Sequence, residues 1–312
     1  MGVEPTVTIT QTRGGRADAV RPPRRRRWRG ARAYLYVLPA ALVYVGFSLW
    51  PALNTVYYSL LEWDGLNPGT WVGLENYISV FTDEALLSSI QHSLVLILFF
   101  AVLPIMIGLL LCGLLMGKGT RGMTAFRIIY FLPQVVPLVA VGVTWRWIYS
   151  DTGIVNTMLR SVGLGFLAQP WLAQQSTALI AIGLIGTWCM TGLCMILFIS
   201  GAQKIDSSLY EAAAMDGAGA VRRFVSVTLP GLRGEISIAA VITTIAALAS
   251  FDLVYVTTGG GPVNATTIPG LLVYRLAFSY NDVGTAASLA IVLTILILLF
   301  VALIRRLTRE KA

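Results

Sequence analysis

Six stretches of this chain are each apolar for close to the length needed to cross a membrane, which is about 20 helical residues for about 30 Å of hydrocarbon. They lie near residues 33–55, 90–116, 123–149, 176–200, 236–257 and 284–304. Inside lipid every backbone amide and carbonyl must find its partner within the protein, so segments of this length have to be helical. The expected fold class is therefore all-α, a polytopic membrane protein with six transmembrane helices. Composition agrees, since 56% of residues are apolar and 12% charged, against roughly 25% charged in soluble domains.

The formal net charge of +8 raises nucleic acid as a partner, but the position of the charges decides against it. Twenty of the 23 basic residues fall on one side if the N-terminus is cytoplasmic: nine in the tail, three between the second and third stretches, four between the fourth and fifth, and four at the C-terminus. Only Arg146, Arg160 and Arg275 fall outside. This is the positive-inside pattern of an inner or plasma membrane protein with both termini cytoplasmic. Residues 1–32, ending in RPPRRRRWRGAR, are polar and Arg-rich and are expected to be a disordered tail suited to anionic lipid. Residues 33–312 are expected to form one six-helix transmembrane domain. The first apolar run exceeds a signal-peptide core and lacks a small-residue cleavage site, so it is read as an uncleaved span.

Breakers inside the stretches add detail. Pro104, Pro133 and Pro137 remove backbone donors and are expected to kink the second and third spans. Gly183, Gly186 and Gly192 give the fourth span small faces for close helix packing. Residues 150–175 are expected to include a short helix at the membrane surface. Cys112, Cys189 and Cys194 lie within apolar runs without metal-ligand spacing and imply no disulfide framework. His92 opens the second span and reads as an interfacial residue. No phosphate-binding loop is present; Gly117–Lys118–Gly119–Thr120 has the wrong spacing. Paired acids, a Ser/Lys dyad and a metal site are all lacking in the apolar runs, so the chain is read as no enzyme, with no cofactor or metal of its own.

One polar interruption stands out, SLYEAAAMDGAGAVRRFVSVTLP at Ser208–Pro230, on the cytoplasmic side by the charge count. Ser208 and Glu211 have capping-box spacing. Ala212, Ala213 and Ala214 favour a helix of little bulk, and Gly217 and Gly219 break it. A second helix is expected to end near Leu229, because Pro230 disfavours helix at the residue before it. Glu211 is read either as a cap of its own helix or as a contact to a partner.

The same residues resemble the cytoplasmic EAA loop of permease subunits of bacterial ABC importers: Glu211, Ala212, Ala213, Asp216, Gly217, Ala218, Phe224, Leu229 and Pro230 match it. GLENYISVF at 73–81, WRWIYSDTGIVNTML at 145–159 and FDLVYVTTGGGPVNATT at 251–267 resemble, in order, segments of the larger permease of maltose and glycerol-phosphate systems. Asp206 departs from the proline usual there. The resemblance implies a type I ABC importer-like permease for carbohydrate, with residues 201–234 as its coupling loop. It further implies a second related permease, an ATPase dimer that binds ATP and Mg and contacts Glu211, Ala212, Ala213, Asp216, Gly217 and Ala218, and an extracytoplasmic solute-binding protein.

For the substrate pathway, ionisable residues near a span are costly and so draw attention. Asp252, taken to lie at the outer end of the fifth span, has Ser250, Phe251 and Tyr255 beside it, a set suited to a sugar ring. Thr187, Trp188 and Thr191 join by resemblance. The bland alternative is that the aromatics form an interfacial belt and the threonines bond their own helix. Two other functions stay open: an ABC importer permease for glycerol phosphate or another polar solute, and a secondary transporter driven by an ion gradient.

Overall fold

The computed structural model describes residues 28–115 and 123–308, together with Gly2. The expectations for the tail through residue 27, for Gly117–Thr120, and for Lys118, Arg121, Arg309 and Lys311 lie outside the described residues. The chain divides into two compact units, Met1–Pro51 and Ala52–Ala312. The first is helical from Trp28, with a π-helical turn at Val45–Leu49. Helix α1, Tyr36–Tyr58, is 23 residues long and apolar enough to span.

In the second unit a small antiparallel hairpin, β1 (Leu61–Glu62) with β2 (Thr70–Trp71), precedes α2 (Glu75–Thr82). Then follow α3 (Glu84–Leu115), α4 (Met123–Val135), α5 (Leu138–Ile148), α6 (Ile154–Ser161) and α7 (Ala178–Ala202). The chain continues through α8 (Ser207–Met215), α9 (Ala220–Gly231), α10 (Arg233–Leu248), α11 (Asp252–Thr257), α12 (Pro269–Phe278) and α13 (Val283–Thr308). Among the described residues the fold is all-α apart from the two-residue strands.

Among the described residues four helices, α1, α3, α7 and α13, are individually long and apolar enough to cross a membrane, and the total reaches six if each of two bent pairs is one span. The third expected span is such a pair, α4 and α5, bent by 99°. Pro137 is the N-cap of α5, and a proline there holds Val136 away from helical geometry. The fifth differs more. Helix α10 ends at Leu248, residues 249–251 break it, and Asp252 opens the separate helix α11. Asp252 therefore does not continue the fifth span. Helix α10 pairs instead with α9, at a bend of 69°. Helix α12, only 10 residues long, was not anticipated.

Helix α7 is the centre of the second unit. Leu96 and Phe100 of α3, Ala181, Ile182 and Ile185 of α7, and Leu253, Ile268 and Leu271 share one buried cluster. The expected glycine faces make this contact possible. A Cβ on Gly183 would lie 2.4 Å from the Phe99 ring, on Gly186 2.1 Å from Phe100, and on Gly192 2.0 Å from the Tyr130 carbonyl oxygen. All three cysteines are buried and free.

Three other prolines act by widening a turn and not by bending the helix. The π-helical turns Val45–Leu49, Leu98–Val102 and Phe224–Thr228 each end two residues before a proline, Pro51, Pro104 and Pro230. In each, the residue before the proline donates its N–H five residues back: Trp50 to Val45, Leu103 to Leu98, Leu229 to Phe224. A proline ring collides with the carbonyl four residues earlier, and one wide turn relieves the collision without breaking the helix. So α3 runs on through Pro104 where a kink was expected, and α9 runs past Leu229 to Gly231 where a stop was expected.

Candidate coupling and translocation sites

The segment between α7 and α10 folds as two short helices joined by a glycine elbow. Its N-cap is not the anticipated Ser208–Glu211 box. Asp206, the residue in place of a proline, caps α8, its Oδ1 accepting the Ser208 N–H at 2.9 Å. That backbone hydrogen bond first, and the Ser208 hydroxyl second, hold the Asp206 carboxyl below the ordinary 3.8. The far end of α8 closes with a Schellman motif. Gly217 at φ +74° donates to the Ala214 carbonyl at 3.0 Å, and Ala218 to Ala213 at 2.9 Å. A left-handed position of this kind favours glycine. Gly219 then caps α9 with an extended backbone, and Tyr210 Oη sits 3.1 Å from Thr228 Oγ1, tying the two helices together.

This elbow is rooted rather than loose. Leu232 at its base is fully buried, Gly201 lies against Glu235, and Lys204 Nζ approaches Glu235 Oε1 at 3.4 Å. Its crest is open: Glu211, Ala212, Asp216 and Gly217 are exposed, as are the apolar Met215 (90%) and Val221 (79%). Among the described residues neither Glu211 nor Asp216 has an ion-pair partner. Ala213 and Ala218 are half-buried.

The pathway candidates form two groups. Thr187, Trp188 and Thr191 of α7 line one cleft of about 450 Å³ with Ile107, Ile129, Tyr130 and Pro133. Their hydroxyls are committed: Thr187 donates to the Phe99 carbonyl at 2.7 Å and Thr191 to Thr187 at 2.7 Å. The Phe99 bond follows from the wide turn. Leu103 bonds Leu98 rather than Phe99, Pro104 has no N–H, and Thr187 supplies the missing donor. Trp188 is half-exposed and meets Trp145 edge-on at 5.6 Å.

Ser250, Phe251, Asp252 and Tyr255 do not line that cleft. Phe251 and Tyr255 stack at 5.2 Å, and each lies 5.6 Å from Tyr274 of α12, which in turn meets Phe278. Asp252 is exposed in the first turn of α11, and Ser250 Oγ is buried without a hydrogen-bond partner. The missed members, Tyr274 and Phe278, carried a signal in their i, i+4 aromatic spacing behind Pro269. His92 Nδ1 donates to the Thr267 carbonyl at 2.8 Å, consistent with a structural role. A further cleft, of about 640 Å³, runs between the hairpin, α2 and the start of α13, with Glu62, Asp64, Glu75 and Asp282 on its walls. The backbone N–H of Asn67, then that of Leu66, lower the Asp64 carboxyl below its ordinary value. No group of three or more metal-ligating side chains occurs among the described residues.

Comparison with known proteins settles the family. Residues 105–311 match the family described as binding-protein-dependent transport system inner membrane component. The chain belongs to this permease family. It is thus a multi-pass membrane component of an ABC importer, and not an enzyme. The permease is 32% identical over 268 residues to the probable ABC transporter permease protein YurN of Bacillus subtilis, covering 85% of this chain and 91% of that one. It is 32% identical to the diacetylchitobiose uptake system permease protein NgcF of Streptomyces coelicolor, over 94% and 85% of the two chains. In fold it resembles a chain of a bacterial alginate ABC transporter solved in complex with an alginate pentasaccharide-bound periplasmic protein. The TM-score is 0.76 at 22% identity, over 90% of this chain and 95% of that one.

Proposed function

We propose that this permease passes a sugar or oligosaccharide across the membrane, working beside a second related permease, and that ATP hydrolysed by a docked cassette dimer drives it. The observation that carries the reading is the α8–α9 elbow. It is braced at its root by Leu232 and Glu235, closed by the Gly217 motif, and open at a crest bearing Glu211, Ala212 and Asp216. A rigid crest on a buried root suits the transmission of a push: movement of a partner at the crest turns α9, and through the bend at Leu232 turns α10. ATP and Mg belong to the partner ATPase, and the chain contributes Glu211, Ala212, Ala213, Asp216, Gly217 and Ala218 to that contact. Residues 1–32 serve as a cytoplasmic tail and 33–312 as the permease domain, with both termini cytoplasmic by the distribution of basic residues.

Substrate class is supported by relatives named for diacetylchitobiose uptake and for multiple-sugar transport, and by the Phe251, Tyr255 and Tyr274 rings with Asp252 beside them. An extracytoplasmic solute-binding protein delivers the sugar. Thr187, Trp188, Thr191 and Ser250 are further pathway candidates. A second reading, another polar solute such as glycerol phosphate, is favoured by a relative named for osmoprotective compounds. Deletion of residues 211–217 is expected to leave the permease inserted but unable to co-purify with its ATPase; undiminished co-purification overturns the coupling role. Calorimetry on the cognate solute-binding protein decides between sugar and other solutes.

A further inference from the structure

The connection between α5 and α7 carries a feature that transport does not account for. Helix α6 has three faces. At about 100° per residue, Val155, Asn156 and Leu159 fall together on the face turned into the protein, where Asn156 is fully buried. Thr157, Arg160 and Ser161 form an exposed polar face. Between these lies an exposed apolar stripe of Ile154, Met158 (63%) and Val162 (69%), prolonged past the helix by Leu164, Phe166 (79%) and Leu167.

The stripe is held in a fixed frame. Asn156 Nδ2 donates to the carbonyls of Ser150 and Gln169, and its Oδ1 accepts from the Gln169 N–H and from Trp171 Nε1. Gly163 at φ +81° turns the chain after α6, and Leu164 donates to the Leu159 carbonyl at 2.8 Å. Arg160 pairs with Asp151 at 2.9 Å on the polar side.

We infer that α6 and the turn after it form an interfacial anchor, with Met158, Val162 and Phe166 seated at the headgroup and acyl boundary of the bilayer and Arg160 in water. Continuity with the membrane names the occupant. The segment leaves the apolar helix α5 only six residues before Ile154 and re-enters the apolar helix α7 eleven residues after Leu167, so both its ends are fixed to the lipid-embedded body. An adjacent polar and apolar face on one short helix is the form that lies in the plane of a membrane interface. An anchor there holds the outer end of the bent α4–α5 pair at constant depth while the rest of the permease moves.

The test uses the complete transporter in nanodiscs of phosphatidylethanolamine and phosphatidylglycerol, with single nitroxide labels at Met158→Cys, Val162→Cys, Phe166→Cys and Arg160→Cys. The native cysteines are buried, and the unsubstituted chain serves as the labelling blank. Labels at 158, 162 and 166 are expected to collide with oxygen several-fold more often than with a water-soluble nickel chelate, and the label at 160 to show the reverse. Preference for the nickel chelate at 158 and 166 overturns the anchor. Shielding of those sites from both reagents overturns it too, because it means that another protein covers the stripe.

Discussion

Replacing Gly192 by alanine is the sharpest test of how α7 is packed. The new Cβ would stand 2.0 Å from the Tyr130 carbonyl oxygen and 2.9 Å from the Phe131 Cα. Ordinary contact begins near 3.4 Å, and the obstacle is helix backbone, so α4 and α7 must separate by roughly 1 Å. Overpacking of this kind costs about 1–3 kcal/mol, and immovable backbone puts it at the upper end. Alanine is also a better helix former than glycine by about 1 kcal/mol, which leaves a net loss of about 2 kcal/mol. For a chain of 312 residues that corresponds to a fall in melting temperature of roughly 3 °C. Gly234 of α10 is the control, because nothing lies within 4 Å of its Cβ position. Gly234→Ala gains the helix preference alone, up to about 1 kcal/mol. A thiol-reactive fluorophore reads both, since Cys112, Cys189 and Cys194 are buried until the bundle opens. A Gly192→Ala melting point at or above the wild type refutes the packing argument.

Thr187→Val removes the hydroxyl that satisfies the Phe99 carbonyl, and an orphaned buried acceptor costs about 1–3 kcal/mol. Pro104→Ala restores an N–H and lets α3 close on itself, so the double variant should recover much of the loss; additive losses in a double-mutant cycle contradict the repair role of Thr187. At Asp206 the folded carboxyl is depressed, so its capping contribution is complete above the ordinary value of 3.8 and is lost as pH falls through the depressed one. Protection of the first amides of α8, taken as exchange relative to the intrinsic rate at each pH, should therefore fall on acidification in the wild type, and Asp206→Asn, which keeps the cap without titrating, should remove that pH dependence.

Length and polarity were enough to read the all-α membrane class, because lipid leaves a chain no other way to satisfy its backbone over such runs. The break at the glycine elbow was legible for a local reason: Gly217 can take the positive φ that ends α8 without the clash a Cβ would bring. The cap at Asp206 was missed because two candidate caps, Asp206 and Ser208, stand only two residues apart, and the backbone at Asp206, φ −61° and ψ 129°, decides between them. The expected kink is found at Pro137 and not at Pro104, because a proline demands relief from one carbonyl but does not say how. A 99° bend at Pro137 and an unbroken wide turn before Pro104 both answer that demand.

Tertiary structure alone decided which side chains meet. Hydropathy saw a continuous run from 236 to 257, whereas packing ends α10 at Leu248 and turns the chain so that Phe251 and Tyr255 face Tyr274, a residue some twenty positions away. Likewise, Thr187 was readable as a polar residue in an apolar helix, yet its task depends on a carbonyl 88 residues distant. The sequence by itself determined the membrane class, the small faces of α7 and the glycine elbow, since these follow from solvent and from backbone sterics at single residues. The end of α10 at Leu248, the aromatic group and the hydrogen bond that mends α3 arise from contacts between distant segments, and those exist only once the helices are packed.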